Sequence, residues 1–592
     1  MGKLRNRAES AIMMRLKIRV AIRVAFGAVA ALLLCGFAAA TEPDSLAGSL
    51  VSNQRWPRST DAKTWVSDIL RIEGLEGASE TAQGKAFFSW LRLYCRMAVG
   101  GMIQAHEGEY GRERYVVDAH KNLFVYGWGF CDTCSRAADA AWSELKNDAL
   151  AAERVVVQHK EGGFHTMYRL RMDGAYGAFD PRYGYYLIDH DAADARVLDW
   201  AEIGDDRNIL RNKDYRHRSR PFFEIAGKEW ERALEVEPAY FPNQSAWEKA
   251  GSPPEHVFGD SFYKLGTRFH DMSFRLPRGT TITRYWNNKG RVIYHPVSER
   301  ANRELPFLPS GRFYRVSDSS HGGNWPRNDP NYAIAEPYLE SVPTGEGYDP
   351  ELAGGKSIGQ AWGEIVYQPD LSDSSINDVL LPGATLAASP STPYLRPIDA
   401  RAGGAAVLDF YSPYVLVDGE LSAELEGPVA TTTLEIRTLA AKPAAANEPD
   451  VWSRWQILPA KGSQLNMSLG RPRFNGKDVS IHGVYRFQLR VSVKGSESKR
   501  AAGLSKLRLR LAFENGIMSL PRIFPGSNAM RFSVKDASKL RGPLTISYRY
   551  ATPEGERKHE QVLEPSAFRE NTAAYKLESP GLIRCESVTI RY

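Results

Sequence analysis

Cysteine is scarce: the chain has 592 residues and five cysteines, Cys35, Cys95, Cys131, Cys134 and Cys585. So few thiols exclude a disulfide-built scaffold. Apolar runs long enough to cross a bilayer are missing beyond residue 40. An excess of one charge is missing too. Of 76 Lys+Arg and 70 Asp+Glu, 7 and 1 fall in the first 40 residues, leaving 69 of each. The net charge of +6 therefore belongs to the N-terminal segment, and the remainder gives no reason to expect nucleic acid or an anionic membrane as partner. Internal repeats with a period of about 20–50 residues are also absent.

What is present begins with a leader pattern. Arg15, Lys17, Arg19 and Arg23 precede 17 uncharged, largely apolar residues, Val24 to Ala40, and Ala38-Ala39-Ala40 before Thr41 reads as a small-residue cleavage site. The pattern predicts a signal peptide over 1–40 and a secreted or periplasmic protein. The alternative is an uncleaved N-terminal anchor, since the run is near the lower length limit for a span. A lipoprotein reading through Cys35 is weaker, because Leu34 stands where a small residue is expected.

The length calls for two to four domains. Residues 41–215 mix helical and strand signals, with "AFFSWLRLYCRMAVGGMI" (86–103) as a long apolar helix, a second Ala-rich helix over 132–152, and strand patterning from Arg154. Residues 216–395 are rich in Gly, Pro, Asn and aromatics and read as a mostly β middle domain. Residues 396–592 alternate with period two, as in "VYRFQLRVSV" and "LTISYRY", and predict a β-sandwich region of one or two small domains. The change of patterning predicts that 396–592 folds apart from the Cys-bearing part.

Within the first region, "GWGFCDTCSRAADAAW" (127–142) holds two cysteines three positions apart. Cys134, Ala138, Ala141 and Leu145 recur at helical spacing, so Cys134 lies on a buried stripe, where cysteine behaves as a small hydrophobe. Gly127 and Gly129 break any earlier helix, and Asp132 and Thr133 are candidate caps. Cys131 is thus expected at or just before a helix N-terminus, partly accessible, where the helix dipole favours a thiolate. A redox pair would need both sulfurs near the surface, and Asp132 beside the thiol opposes its ionisation. A zinc site lacks a second Cys/His pair at suitable spacing. Two inert buried thiols remain an alternative.

Downstream, "GGFHTMYRLRMDGAYGAFDPRYGYY" (162–186) predicts a β-hairpin around a two-residue Asp173-Gly174 turn. That turn pairs residues whose numbers sum to 347, putting Met167 opposite Asp180. His165 and Asp180 then share a face as diagonal neighbours, roughly 7 Å apart at Cβ, which an imidazole and a carboxylate can bridge. A three-residue turn would separate them. A thiol whose proton is taken by a His, with an Asp fixing the imidazole tautomer, is an arrangement for nucleophilic catalysis.

Gly129-Phe130-Cys131 opening an Ala-rich helix, Gly163-Phe164-His165 opening a strand, and Asp180-Pro181 resemble the transglutaminase-like superfamily over roughly residues 85–190. The resemblance implies an α+β fold: a transglutaminase-like (papain-like) N-terminal domain followed by β-rich C-terminal domains of β-sandwich type. It implies Cys131 as nucleophile, His165 as base and Asp180 as orienting acid, with Trp128, Tyr126 and Trp90 as candidates for the oxyanion donor. No cofactor and no metal are implied. The activity would be acyl transfer or amide hydrolysis on peptide, glycopeptide or cell-wall substrates through a thioacyl intermediate. The chain departs from the family pattern after the Cys helix, where "AAERVVV" (151–157) replaces the usual Gly-Val/Ile-Pro-Ala-Arg segment.

A different class is a glycan-binding or glycan-cleaving exported protein whose transglutaminase-like domain is non-catalytic. Trp230, Trp247, Trp286, Trp325 and Trp362 are aromatics that would stack on sugar rings if exposed, or fill cores if not. "PDLSDSSIND" (369–378) spaces oxygen ligands as a calcium loop could, but it is no EF-hand and a solvated loop is the stronger reading.

Overall fold

The computed structural model describes residues 43–97, 116, 118–129, 131–158, 164–181, 185–189, 195–199, 202, 216–218, 224–225, 228–229, 269–286, 360–428, 431–439, 450–470, 480–496 and 501–592. The expected leader, and Trp230, Trp247 and Trp325, lie outside the described residues.

The chain enters through strand β1 (Leu46–Asn53) and then forms helices α1 (Ala62–Ile72) and α2 (Glu80–Tyr94). Asp61 caps α1 by accepting from the Thr64 amide at 2.7 Å, and Trp65, Val66, Ile69 and Leu70 recur on its buried face. The apolar run at 86–103 belongs to a helix that starts earlier than expected, because Ser79 caps it by accepting from the Ala82 amide. The helix ends at Tyr94, Arg96–Met97 are extended, and 98–103 lie outside the described residues. Helix α3 (Cys131–Lys146) stops at Asn147, whose φ of 52° takes the left-handed conformation that ends helices. It is enclosed on more than its expected stripe. Ser135, Asp139, Trp142 and Ser143 are buried as fully as Cys134, Ala138 and Ala141.

An antiparallel meander follows: β2 (Ala152–Gln158), β3 (Phe164–Met172), β4 (Ala175–Asp180), β5 (Tyr185–Leu187) and β6 (Arg216–Arg218). The β3–β4 hairpin has the register that a two-residue turn dictates, with Tyr168 opposite Phe179 and Met172 opposite Ala175. Asp173 and Gly174 both have positive φ, 49° and 85°, as the tight hairpin turn requires. The Asp173 carboxylate also accepts from the amides of Glu80 and Thr81, which pins the hairpin to the start of α2.

The strands that build the two main sheets are β7 (Phe274–Leu276), β8 (Thr280–Tyr285), β9 (Gln360–Tyr367), β10 (Gly403–Glu426), β11 (Thr432–Thr438), β12 (Gln456–Leu458), β13 (Val484–Lys494), β14 (Gly503–Gly516), β15 (Gly526–Ser533), β16 (Leu544–Thr552), β17 (Gly555–Leu563), β18 (Thr572–Ser579) and β19 (Arg584–Arg591), with short strands such as Leu386–Ala388, Leu395–Pro397 and Gln464–Ser468 beside them. They make a β-rich body of sandwich-like sheets. The large sheet runs β12-β11-β13-β10-β14-β9-β8-β19-β16-β17, and a four-stranded sheet runs β7-β1-β15-β18. Strand β10 joins two halves of the large sheet. Its first half pairs with β13 and its second with β14, with a register shift between Tyr411 and Leu416. Pro413, which has no N–H to give a ladder, sits in that shift.

The sheets cross the expected boundaries. β8 and β9, from the middle region, hydrogen-bond to β19 and β14 of the C-terminal region. β1, from the N-terminal region, lies between β7 and β15. One continuous apolar core runs from Leu46 to Ile590. The helical part is fastened to the β body at defined points. The Trp56 indole donates to the Met518 carbonyl at 3.0 Å, and the Tyr126 and Tyr485 hydroxyls meet at 2.8 Å. A Cβ on Gly516 would stand 3.0 Å from the Phe124 carbonyl, so glycine lets β14 approach the helical turn Lys121–Tyr126.

Candidate functional site

Helix α3 begins at Cys131, so its thiol is on the first turn and Asp132 and Thr133 lie inside the helix rather than capping it. Cys131 is only 3% exposed, against the partial accessibility expected of it, because the start of α3 is tucked between β3 and the paired segments Arg96–Met97 and Trp128–Gly129. Cys95, Cys131, Cys134 and Cys585 are all free thiols, so the CxxC spacing makes no disulfide here. The Cys134 thiol donates to the Cys95 carbonyl at 3.2 Å. Burial pushes it well above the ordinary thiol range, and Cys95, Cys131 and Asp132 push the same way. Asp132 is less adverse to Cys131 than its position suggests. Its carboxylate pairs with Arg136 at 2.9 Å and also with Arg154, which offset its charge.

The helix carrying Cys131 is seated on the strand carrying His165. Ser135, one turn after Cys131, donates its hydroxyl to the Thr166 carbonyl at 3.4 Å. The His165 backbone is in β3 opposite Val157 of β2, and its side chain lies outside the described residues. Asp180 closes β4 opposite Tyr185 and is wholly buried. Continuing the hairpin register by one step puts Asp180 opposite Met167, two residues along β3 from His165.

The three aromatics differ in what holds them. The Trp90 indole N–H donates to Glu73 at 2.7 Å and so is already spent. The Tyr126 hydroxyl is engaged with Tyr485. The Trp128 backbone pairs beside Arg96, and its side chain lies outside the described residues.

In the 369–378 loop each acid is already engaged by protein groups. Asp370 accepts from Ser372, Asp373 caps the short turn at Ser375, and Asp378 takes both arms of Arg278. Trp286 and Trp362, each 4% exposed, are core residues: Trp286 packs at a tilt against Tyr548, and Trp362 stacks on Tyr285. The half-buried indoles are a pair that composition did not single out, Trp452 and Trp455. Arg437 lies 4.8 Å from the first ring and 4.5 Å from the second, Arg486 lies 5.5 Å from Trp452, and Arg490 lies 4.5 Å from Trp455. Two guanidiniums thus contact each indole, which fastens the 450–458 segment to the sheet. The sequence signal was the Trp-Ser-Arg-Trp spacing together with Arg486 and Arg490, four residues apart and so on one face of β13.

These features define a β-rich protein of sandwich-like sheets with few helices, and no described helix is long and apolar enough to cross a membrane. No family model and no curated protein matches the chain. Among solved structures it is similar to the N-terminal CBM22-1-CBM22-2 tandem domain of Xyn10C from Paenibacillus barcinonensis, at 8% identity and a TM-score of 0.14, over 36% of this chain and 84% of that one. An allantoicase matches at 8% identity and a TM-score of 0.14, over 33% and 75%. A Paenibacillus xanthan lyase matches at 6% identity and a TM-score of 0.13, over 36% and 24%. Overlaps this small carry no argument about function.

Proposed function

We propose that the Cys131 region is a transglutaminase-like thiol site for acyl transfer or amide hydrolysis on peptide, glycopeptide or cell-wall material. The observation that carries the reading is the seating of α3 on β3 through Ser135 and Thr166, beside His165 and with Asp180 buried in the next strand. In this chemistry His165 takes the thiol proton, and the Cys131 thiolate attacks the amide carbonyl. The departing amine receives the proton, and water or a second amine resolves the thioester. Asp180 holds the imidazole tautomer.

Labelling with iodoacetamide across pH, with the modified cysteine mapped, tests this without a known substrate. Cys131 should titrate below the roughly 8.5 of a free thiol, and His165→Ala should raise it toward that value. On any amide substrate turned over, Cys131→Ala should abolish turnover, and Asp180→Asn should slow it on the order of 10²–10⁴-fold. An unshifted Cys131, or no response to His165→Ala, overturns the reading.

The enclosure of Cys131, 3% exposed, favours a second reading: a glycan-binding or glycan-cleaving exported protein whose thiol domain is non-catalytic. An inert Cys131 together with measurable binding to polysaccharide would leave that reading standing.

A further inference from the structure

Arg284 of β8 is a guanidinium buried without a counter-charge. It is 4% exposed, and no carboxylate lies within ion-pair distance of it among the described residues. Its three hydrogen bonds all run from Nη2 to neutral oxygens: the Tyr414 hydroxyl at 2.7 Å, and the Ser519 carbonyl and hydroxyl at 3.1 Å each. Its Nε–H is fully enclosed and meets no acceptor among the described residues. The Tyr414 hydroxyl, accepting from Nη2, keeps its own proton to donate. Around these groups the surroundings are aromatic. The guanidinium lies 4.7 Å from the Tyr414 ring centroid and 5.9 Å from that of Phe274, and Phe513 stacks on Tyr414 at 5.4 Å.

A buried charge is ordinarily paired, and an enclosed donor without an acceptor marks a place where an ion or water belongs. Burial does pull the Arg284 pKa down, with Tyr414 and Tyr548 opposing, but a guanidinium stays protonated in proteins. A water would take up the spare donors and leave the charge unbalanced. We propose that Arg284 and Tyr414 form a site for one small monovalent anion of halide size, enclosed where β7 of the four-stranded sheet packs on the large sheet. Single positive charge sets the valence, and the enclosing rings set the size. The anion would lock the Ser519 turn, and with it the Gly516 end of β14, against the helical part.

The test uses the full chain purified into sodium gluconate, with sodium chloride or bromide exchanged in at constant ionic strength. The melting temperature should rise saturably with halide, on the order of a degree or more. Sulfate should give no saturable step. Arg284→Met should lose the halide response. Tyr414→Phe keeps the charge and removes one donor, so its half-saturating chloride should rise roughly tenfold. It also decides the matter if Arg284→Met does not fold. Crystals grown in bromide should show an anomalous peak within about 3.5 Å of the guanidinium. A melting temperature indifferent to halide, an equal response in Arg284→Met, or only water at that position in bromide crystals overturns the proposal.

Discussion

Truncating Trp56 tests whether the helical part and the β body are one cooperative structure. The indole is 3% exposed and lies across the seam. On the helical side it packs edge-on against Trp90 at 5.5 Å and stacks on Tyr94 at 6.5 Å. On the β side it meets Phe524 at 6.1 Å and donates to the Met518 carbonyl. Trp56→Ala removes the whole ring from a packed core, a change that costs about 3–5 kcal/mol. Trp56→Phe keeps most of the ring and orphans the buried carbonyl, for about 1–3 kcal/mol.

The buried thiols provide the assay. Cys134 is in α3 and Cys585 in β19, and both are enclosed. In a denaturant series each should become reactive to a thiol reagent at the same midpoint, and Trp56→Ala should move both midpoints together. Coincident transitions are the mark of a single cooperative unit. If Cys585 stays protected while Cys134 becomes reactive, or if Trp56→Ala costs under about 1 kcal/mol, the seam does not couple the two parts.

Two further perturbations follow from local geometry. His270 donates from Nε2 to the Pro413 carbonyl, and burial, aided by Lys121, holds its pKa down at about 4. Its folded pKa lies below the unfolded value of about 6.5, so its contribution is complete above that value and lost as pH falls toward about 4. Unfolding in denaturant should show a loss of roughly 2 kcal/mol between pH 7.5 and 5 that His270→Gln removes, and an unchanged pH slope in the variant would refute the assignment. Gly174 has φ of +85° and open space around a built Cβ, so Gly174→Ala costs only its backbone strain, about 1–2 kcal/mol by the same measurement. A neutral result would mean that the turn is not held in the left-handed conformation.

Local order was legible where the signal was local. The Asp173-Gly174 pair carried the hairpin register, since two adjacent residues with positive φ admit few alternatives. The start of α3 was legible to within a residue from the flanking glycines and the Ala-rich stripe. The start of α2 was missed because its cap, Ser79, stands well upstream of the apolar run that drew attention. The domain boundaries were drawn from changes in patterning, and patterning cannot report that β1 pairs with β15, or that β8 and β9 complete the C-terminal sheet. Such pairings depend on contacts remote in sequence. Trp286 and Trp362 could not be assigned to core or surface from composition, since both roles use the same residue. Arg284 was missed for the opposite reason: it shares the buried face of β8 with Thr280 and Ile282, and an arginine is by residue type read as a surface residue.

The pairing of β1 also has a consequence in time. Asn53 aligns with Met530, 477 residues later. At roughly 5–20 residues per second of synthesis, β1 waits about 24–95 s before β15, its second partner after β7, exists. Its sequence, LAGSLVSN, carries none of the charges or prolines that blunt an unpaired strand. A nascent chain therefore leaves one edge of β1 unpaired for most of its own production. β15 closes the edge that β1 leaves open, so truncations that remove Gly526–Ser533 should free β1 for pairing with other chains.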